Sequence, residues 1–141
     1  MNKLDKESVT GITALLVHAA NIDEIYSDHE KDLVKDFIKS YLKDEDVNKI
    51  LIKAEEIEKN SNQLLNYTNI IKEKSNDIKK EIIRHLWKVI ISDNTVDQYE
   101  SNLMRRICGL IYFPDKDCAE IKLQLINKKW LILLKMNVLN V

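Results

Sequence analysis

The sequence predicts an all-α fold: one compact domain of about seven helices that contains two pseudo-repeated helix–acidic loop–helix units. Three observations carry that expectation. Only two glycines and one proline occur in 141 residues, whereas sheet-rich folds need many tight turns that favour both residue types. Apolar residues recur at three- and four-residue spacing along most of the chain, as one face of a helix requires. An acidic segment near residue 23 also returns 70 residues later with the same order of residue types. Apolar residues make up 45% of the chain and charged residues 32%, a mixture that suits a folded core under a solvated surface and argues against disorder.

The elements follow in order. Val9, Ile12, Leu16, Ala19 and Ala20 mark a first helix over about residues 5–21. After the polar stretch NIDEIYSD, the residues Leu33, Val34, Phe37, Ile38 and Tyr41 mark a second over 28–43. Its start is signalled by Ser27-Asp28-His29-Glu30, a capping box in which Ser27 is the N-cap and Glu30 reaches back to it. Asp44 is expected to cap a third helix carrying Val47, Ile50, Leu51 and Ala54. A charged, asparagine-rich passage, the expected linker, leads to a fourth helix with Leu64, Tyr67, Ile70 and Ile71. Ser75 or Asn76 caps a fifth, whose stripe is Ile78, Ile82, Leu86, Val89 and Ile90. The sixth opens on a second capping box, Asp97-Gln98-Tyr99-Glu100, and runs through Leu103, Ile107, Leu110 and Ile111. Phe113-Pro114-Asp115 ends it, and Pro114 suits the start of a seventh helix holding Cys118, Ile121 and Leu125.

The helical domain is expected over residues 1–127, with residues 128–141, KKWLILLKMNVLNV, as an apolar C-terminal tail. That tail is apolar on all sides. It is expected to pack on the core or on a partner chain, the other reading being an interfacial membrane anchor with Trp130 at the headgroup level.

Charge excludes some partners. The 22 basic and 23 acidic side chains leave a net charge of −1, where a nucleic-acid binder shows a basic excess or a concentrated basic face. Arg84, Lys88, Arg105 and Arg106 are expected to pair with neighbouring carboxylates. Cys108 and Cys118 form no zinc pattern, and Cys108 reads as a small buried hydrophobe. The opening residues make a poor signal peptide, and no stretch approaches the roughly 20 apolar residues of a spanning helix. Cytoplasm is the expected location. No nucleophile elbow, phosphate loop, dinucleotide fingerprint or zinc-protease motif is present, so no enzymatic activity and no small-molecule substrate are expected.

The repeat supplies the candidate site. Asp23-Glu24-Ile25-Tyr26-Ser27-Asp28-His29-Glu30 lies over Asp93-Asn94-Thr95-Val96-Asp97-Gln98-Tyr99-Glu100, with Leu16 over Leu86, Leu33 over Leu103 and Phe37 over Ile107. Two readings of these loops stay open. In one, Asp23 and Glu30, with Asp28, and Asp93, Asp97 and Glu100 supply oxygen ligands to calcium or magnesium. In the other, Glu30 and Glu100 complete capping boxes while Asp23 and Asp93 satisfy backbone amides of the turn. The spacing is not that of an EF-hand. His18 and His29 flank the first loop without counterparts in the second and are expected to be ordinary polar residues.

At these loops the sequence resembles the TerB-like (tellurite resistance protein B-like) family. The residues that carry the likeness are Ala14-Leu15-Leu16-Val17 through Asp23 and Glu30, and His85-Leu86-Trp87-Lys88-Val89 through Asp93, Asp97 and Glu100 to Leu103-Met104-Arg105-Arg106-Ile107. The likeness covers about residues 10–125 and leaves the tail unmatched. It implies about seven helices with an acidic surface, a stress-response role, divalent metal binding at Asp23, Glu30, Asp93, Asp97 and Glu100, and protein partners at the cytoplasmic face of the inner membrane. The family's loop glycine is Glu24 in one unit and Asn94 in the other. Asparagine tolerates the left-handed conformation, so the second loop is the one expected to keep its shape and bind. The sequence thus leads to a non-enzymatic TerB-like module that takes a divalent cation through its acidic loops. The alternative is a helical scaffold, co-chaperone-like or a membrane-complex accessory, with no metal.

Overall fold

The computed structural model describes residues 4–23, 26–61, 63–93 and 98–139, with side chains for all of these except 23, 93, 130, 133 and 137–139. Seven α-helices and two short 3-10 turns follow one another, and no strand occurs among the described residues. The all-α expectation is met.

Helix α1 (Lys6–Ala20) begins at Asp5, whose carboxylate accepts from the Ser8 amide at 2.7 Å. From Ser8 to Val17 every residue is buried, because α2, α3, α4 and α5 all pack against it. Its threonines are accommodated by local hydrogen bonds: the Thr10 and Thr13 hydroxyls donate to the Lys6 and Val9 carbonyls, both at 2.6 Å. A 3-10 turn, Asn21–Asp23, leads toward α2 (Asp28–Tyr41).

Helix α3 (Asp44–Asn60) packs along both α1 and α2. Lys43, not Asp44, stands at its N-cap, and Asp44 is the first helical residue. There its charge faces the helix dipole rather than closing an amide. The connection to α4 (Leu64–Lys72) is tied down by the buried Tyr67, whose hydroxyl donates to the Ser61 carbonyl at 2.7 Å.

Ser75 caps α5 (Asn76–Ile90) by accepting from the Ile78 amide at 3.3 Å. A second 3-10 turn, Ile91–Asp93, precedes α6 (Gln98–Leu110). Helix α6 stops before Phe113. Tyr112 takes a left-handed conformation (φ 59°), and the Phe113 amide returns to the Cys108 carbonyl at 2.9 Å, which closes the last turn in the manner usually given to glycine. The Pro114 carbonyl then accepts from the Cys118 amide at 3.1 Å at the head of α7 (Asp115–Leu139). Helix α7 runs unbroken past residue 127. Its first half packs on α5 and α6, where the Trp87 indole donates to the Cys118 carbonyl at 3.1 Å. Cys108 and Cys118 are both buried and free of a disulfide, and burial beside the Cys118 sulfur holds the Cys108 thiol protonated.

Two residues of the core join the first and second halves of the chain. The buried Phe37 ring of α2 meets the His85 ring of α5 edge-on, with centroids 5.3 Å apart. Burial, then the nearby Lys88 and Arg84 charges, lower the His85 pKa to about 4. Its Nδ1 is buried with no hydrogen-bond partner among the described residues. This imidazole is neutral and serves as packing.

Candidate functional site: two acidic turns

The starts of corresponding elements stand 70 residues apart: Lys6 and Asn76, Asn21 and Ile91, Asp28 and Gln98. Each helix–turn–helix segment therefore places an aspartate, Asp23 or Asp93, at the end of a 3-10 turn, and a glutamate, Glu30 or Glu100, in the first turn of the next helix. The side chains of Asp23 and Asp93, and the whole of Asp97, lie outside the described residues.

At the first turn the capping box forms in full. The Ser27 hydroxyl accepts from the Glu30 amide at 3.1 Å, and Glu30 Oε1 accepts from the Ser27 amide at 3.0 Å. One carboxylate oxygen of Glu30 is therefore committed to holding the start of α2, and Asp28 lies exposed in that first turn. Helix α3 crosses the same turn and contributes two more carboxylates. Glu58 Oε2 accepts from the Asn21 amide group at 3.3 Å, while its Oε1 stands 3.4 Å from His18 Nδ1. Glu55 stands 4.0 Å from the Lys31 amine, which itself lies 5.1 Å over the Tyr26 ring.

The Tyr26 hydroxyl sits among these groups, buried and without a hydrogen-bond partner among the described residues. Burial first, then the negative charges of Glu55, Glu30 and Glu58, push its pKa well above the usual phenol value. Burial and the negative charge around the phenol keep it protonated. No sequence pattern marks Glu55 and Glu58 as neighbours of this turn, because nothing local in α3 shows that it folds across a turn some 35 residues earlier.

The second turn is built differently. Glu100 is 5% exposed, whereas Glu30 is half-buried. The helix that follows α6 reaches back as α3 does, but with the opposite charge: Lys129 Nζ donates to the Ile91 carbonyl at 3.2 Å. Ile91 corresponds to Asn21, so the third helix of each segment touches the first residue of its 3-10 turn, through Glu58 in one case and Lys129 in the other.

The donor chemistry of the first turn, carboxylates with an amide and a phenol, suits a hard divalent cation. Among the described residues, no three His, Cys, Asp or Glu side chains are arranged to hold a metal ion. Of the two histidines noted in the sequence, His18 is engaged with Glu58, while His29 lines a groove beside α7.

No helix among the described residues is long and apolar enough to cross a membrane. Neither the curated proteins nor the solved structures contain a match to the chain. The family model described as "Tellurite resistance protein TerB" matches residues 10–123. That span runs from within α1 into the first part of α7 and includes both acidic turns, and the chain belongs to the TerB family.

Proposed function

We propose that this chain is a non-enzymatic stress-response module that holds a divalent cation, calcium or magnesium, at its first acidic turn. The observation that supports the reading is that α3 brings Glu58 against Asn21 of the first turn and Glu55 against Lys31, beside the first turn of α2 that holds Glu30. Clustered carboxylates repel one another, and a divalent cation relieves that repulsion while taking oxygen ligands at about 2.0–2.6 Å. In this reading Asp23 supplies a further carboxylate, together with Glu30 Oε2. The second turn, with Asp93, Asp97 and Glu100, is the weaker candidate, because the Lys129 ammonium already lies against it. Resistance to tellurite, which the family's name carries, belongs to this proposal as the cellular readout of the module.

A thermal melt tests it. Purified protein would be unfolded in chelator, then with calcium, magnesium, manganese or zinc added singly. A ligand that binds only the folded state raises the melting temperature as its concentration passes the dissociation constant. The expected result is a rise with calcium or magnesium that survives Asp93→Asn and disappears in Asp23→Asn and in Glu55→Gln/Glu58→Gln. No rise with any cation at millimolar concentration would overturn it.

The second reading is a metal-free helical scaffold for a protein partner. It is favoured by an open groove of about 520 Å3 between α4 and α6, where Leu64, Leu110 and the 53%-exposed Leu65 lie beside Arg105 and Arg106. Such a module would show no cation response, and Leu65→Asp would abolish partner binding without lowering the melting temperature.

A further inference from the structure

Helix α7 changes character along its length. Its first half buries Cys118 and Ile121 against α5 and α6. Its second half leaves Leu131, Ile132, Leu134 and Met136 between 50% and 58% exposed. Charge changes at the same place. After Glu120 the sequence carries four lysines (122, 128, 129 and 135) and no acidic side chain, while the whole chain has a net charge of −1. The residues up to 120 are therefore acidic overall, and the lysines after Glu120 have no acidic side chain in their own stretch to balance them.

A groove of about 360 Å3 opens where this helix passes the start of α2 and the end of α5. Leu33, Ile91, Leu125 and Ile132 give it an apolar lining. Lys88, Lys128 and Lys129 line it as well, and no acidic residue does so among the described residues. An apolar trough edged by amines matches an amphiphile with an anionic head, and the exposed end of α7 continues the same surface.

We propose that this groove and the C-terminal half of α7 dock the protein on an anionic membrane surface. No helix among the described residues is long and apolar enough to cross a membrane. The helix therefore lies in one leaflet with its lysine amines drawn up to the headgroups. Charge selects this occupant over a second copy of the chain. Two copies joined through residues 121–139 of α7 would bring four lysines against four lysines with no carboxylate from either stretch, whereas anionic headgroups supply the opposite charge. The acidic body stays on the solvent side.

The test is cosedimentation of the full chain with vesicles of pure phosphatidylcholine, or of phosphatidylcholine with phosphatidylglycerol, with oligomeric state measured in parallel. The expected result is binding that requires phosphatidylglycerol and weakens at high salt. Lys128→Glu/Lys135→Glu should reduce it by roughly tenfold or more, given about one fivefold factor per lysine near such a surface. Ile132→Ser/Leu134→Ser should also weaken it, and both variants should keep the wild-type melting temperature because these side chains are largely exposed. Equal binding to neutral vesicles, or no binding to either, would overturn the proposal. So would a wild-type dimer that Ile132→Ser/Leu134→Ser converts to a monomer without any vesicle binding, which would make a second copy the occupant.

Discussion

The first and second helix–turn–helix segments share their spacing and differ in what covers them. Helix α3 lays Glu55 and Glu58 across the first turn, and α7 lays Lys129 across the second. The acidic residues of the two loops are nearly the same in sequence. Their chemical surroundings are set by the next helix along, so one turn gathers negative charge while the other meets an ammonium group. On the two proposals above, loops of one pattern serve different partners, a cation at the first and, through the lysines and apolar end of α7, an anionic surface at the second.

The largest way to break the comparison is to separate the segments. Phe37 is fully buried and packs on His85 across them. Phe37→Ala should cost about 3–5 kcal/mol, the range for emptying a buried aromatic site, read as a fall in the denaturant midpoint. Ile107, its counterpart in α6, is equally buried, and Ile107→Ala should cost about 2–5 kcal/mol. A much smaller loss for Phe37 would mean that the segments fold without leaning on each other.

Next in size is a pH effect confined to the second segment. His85 corresponds to Leu15, so only one of the two equivalent core positions titrates. The folded pKa of about 4 lies below the ordinary value of 6.5, which means the unfolded chain binds the proton first as pH falls. Stability from this group is therefore complete above about pH 6.5 and is lost progressively down to about pH 4, by about 3 kcal/mol in all. His85→Leu should flatten that part of the stability profile. A profile with the same slope in wild type and variant would show that His85 is not the group responsible.

The elements were legible in the sequence because their signals are local. The apolar spacing gave all seven helices, Ser27 with Glu30 gave a capping box that forms, and Ser75 gave a cap. Asp44 misled by one position because aspartate serves both as a cap and as a first-turn residue. The cluster at the first turn was not legible, since Glu58 meets His18 and Asn21 across 40 and 37 residues and exposed-looking glutamates on a helix carry no mark of what they will face. The tail's apolar composition was visible, but its continuity with α7 depends on the absence of any stop signal between Asp115 and Leu139, not on periodicity.

The capping box gives a smaller test. Ser27→Ala should destabilise by about 1 kcal/mol by removing the acceptor for the Glu30 amide. Asp97→Ala probes the corresponding position of the second turn, and a comparable loss there would show that both loops carry a cap. If Ser27→Ala also abolished the cation-dependent rise in melting temperature, the capped geometry of Glu30 would be part of the site rather than separate from it.

The smallest effects come from the two glycines, one in each segment. Both lie inside helices, where glycine costs about 0.5–1 kcal/mol relative to alanine. A Cβ on Gly109 meets nothing nearby, so Gly109→Ala in α6 should stabilise by about that amount. On Gly11 in α1 it would overlap the end of the Ile70 side chain of α4. Ile70 is only partly buried, which leaves it room to change rotamer, and that cost offsets the gain in helix propensity. Gly11→Ala should therefore fall below Gly109→Ala by about 1 kcal/mol, near the off-rotamer cost of one side chain. Adding Ile70→Ala to Gly11→Ala removes the overlap, so the glycine substitution measured in that background should recover the same sign as in α6. If it stays destabilising there, the close approach of α1 to α4 is set by backbone contact rather than by Ile70, and the crowded centre of the fold is tighter in the first segment than in the second.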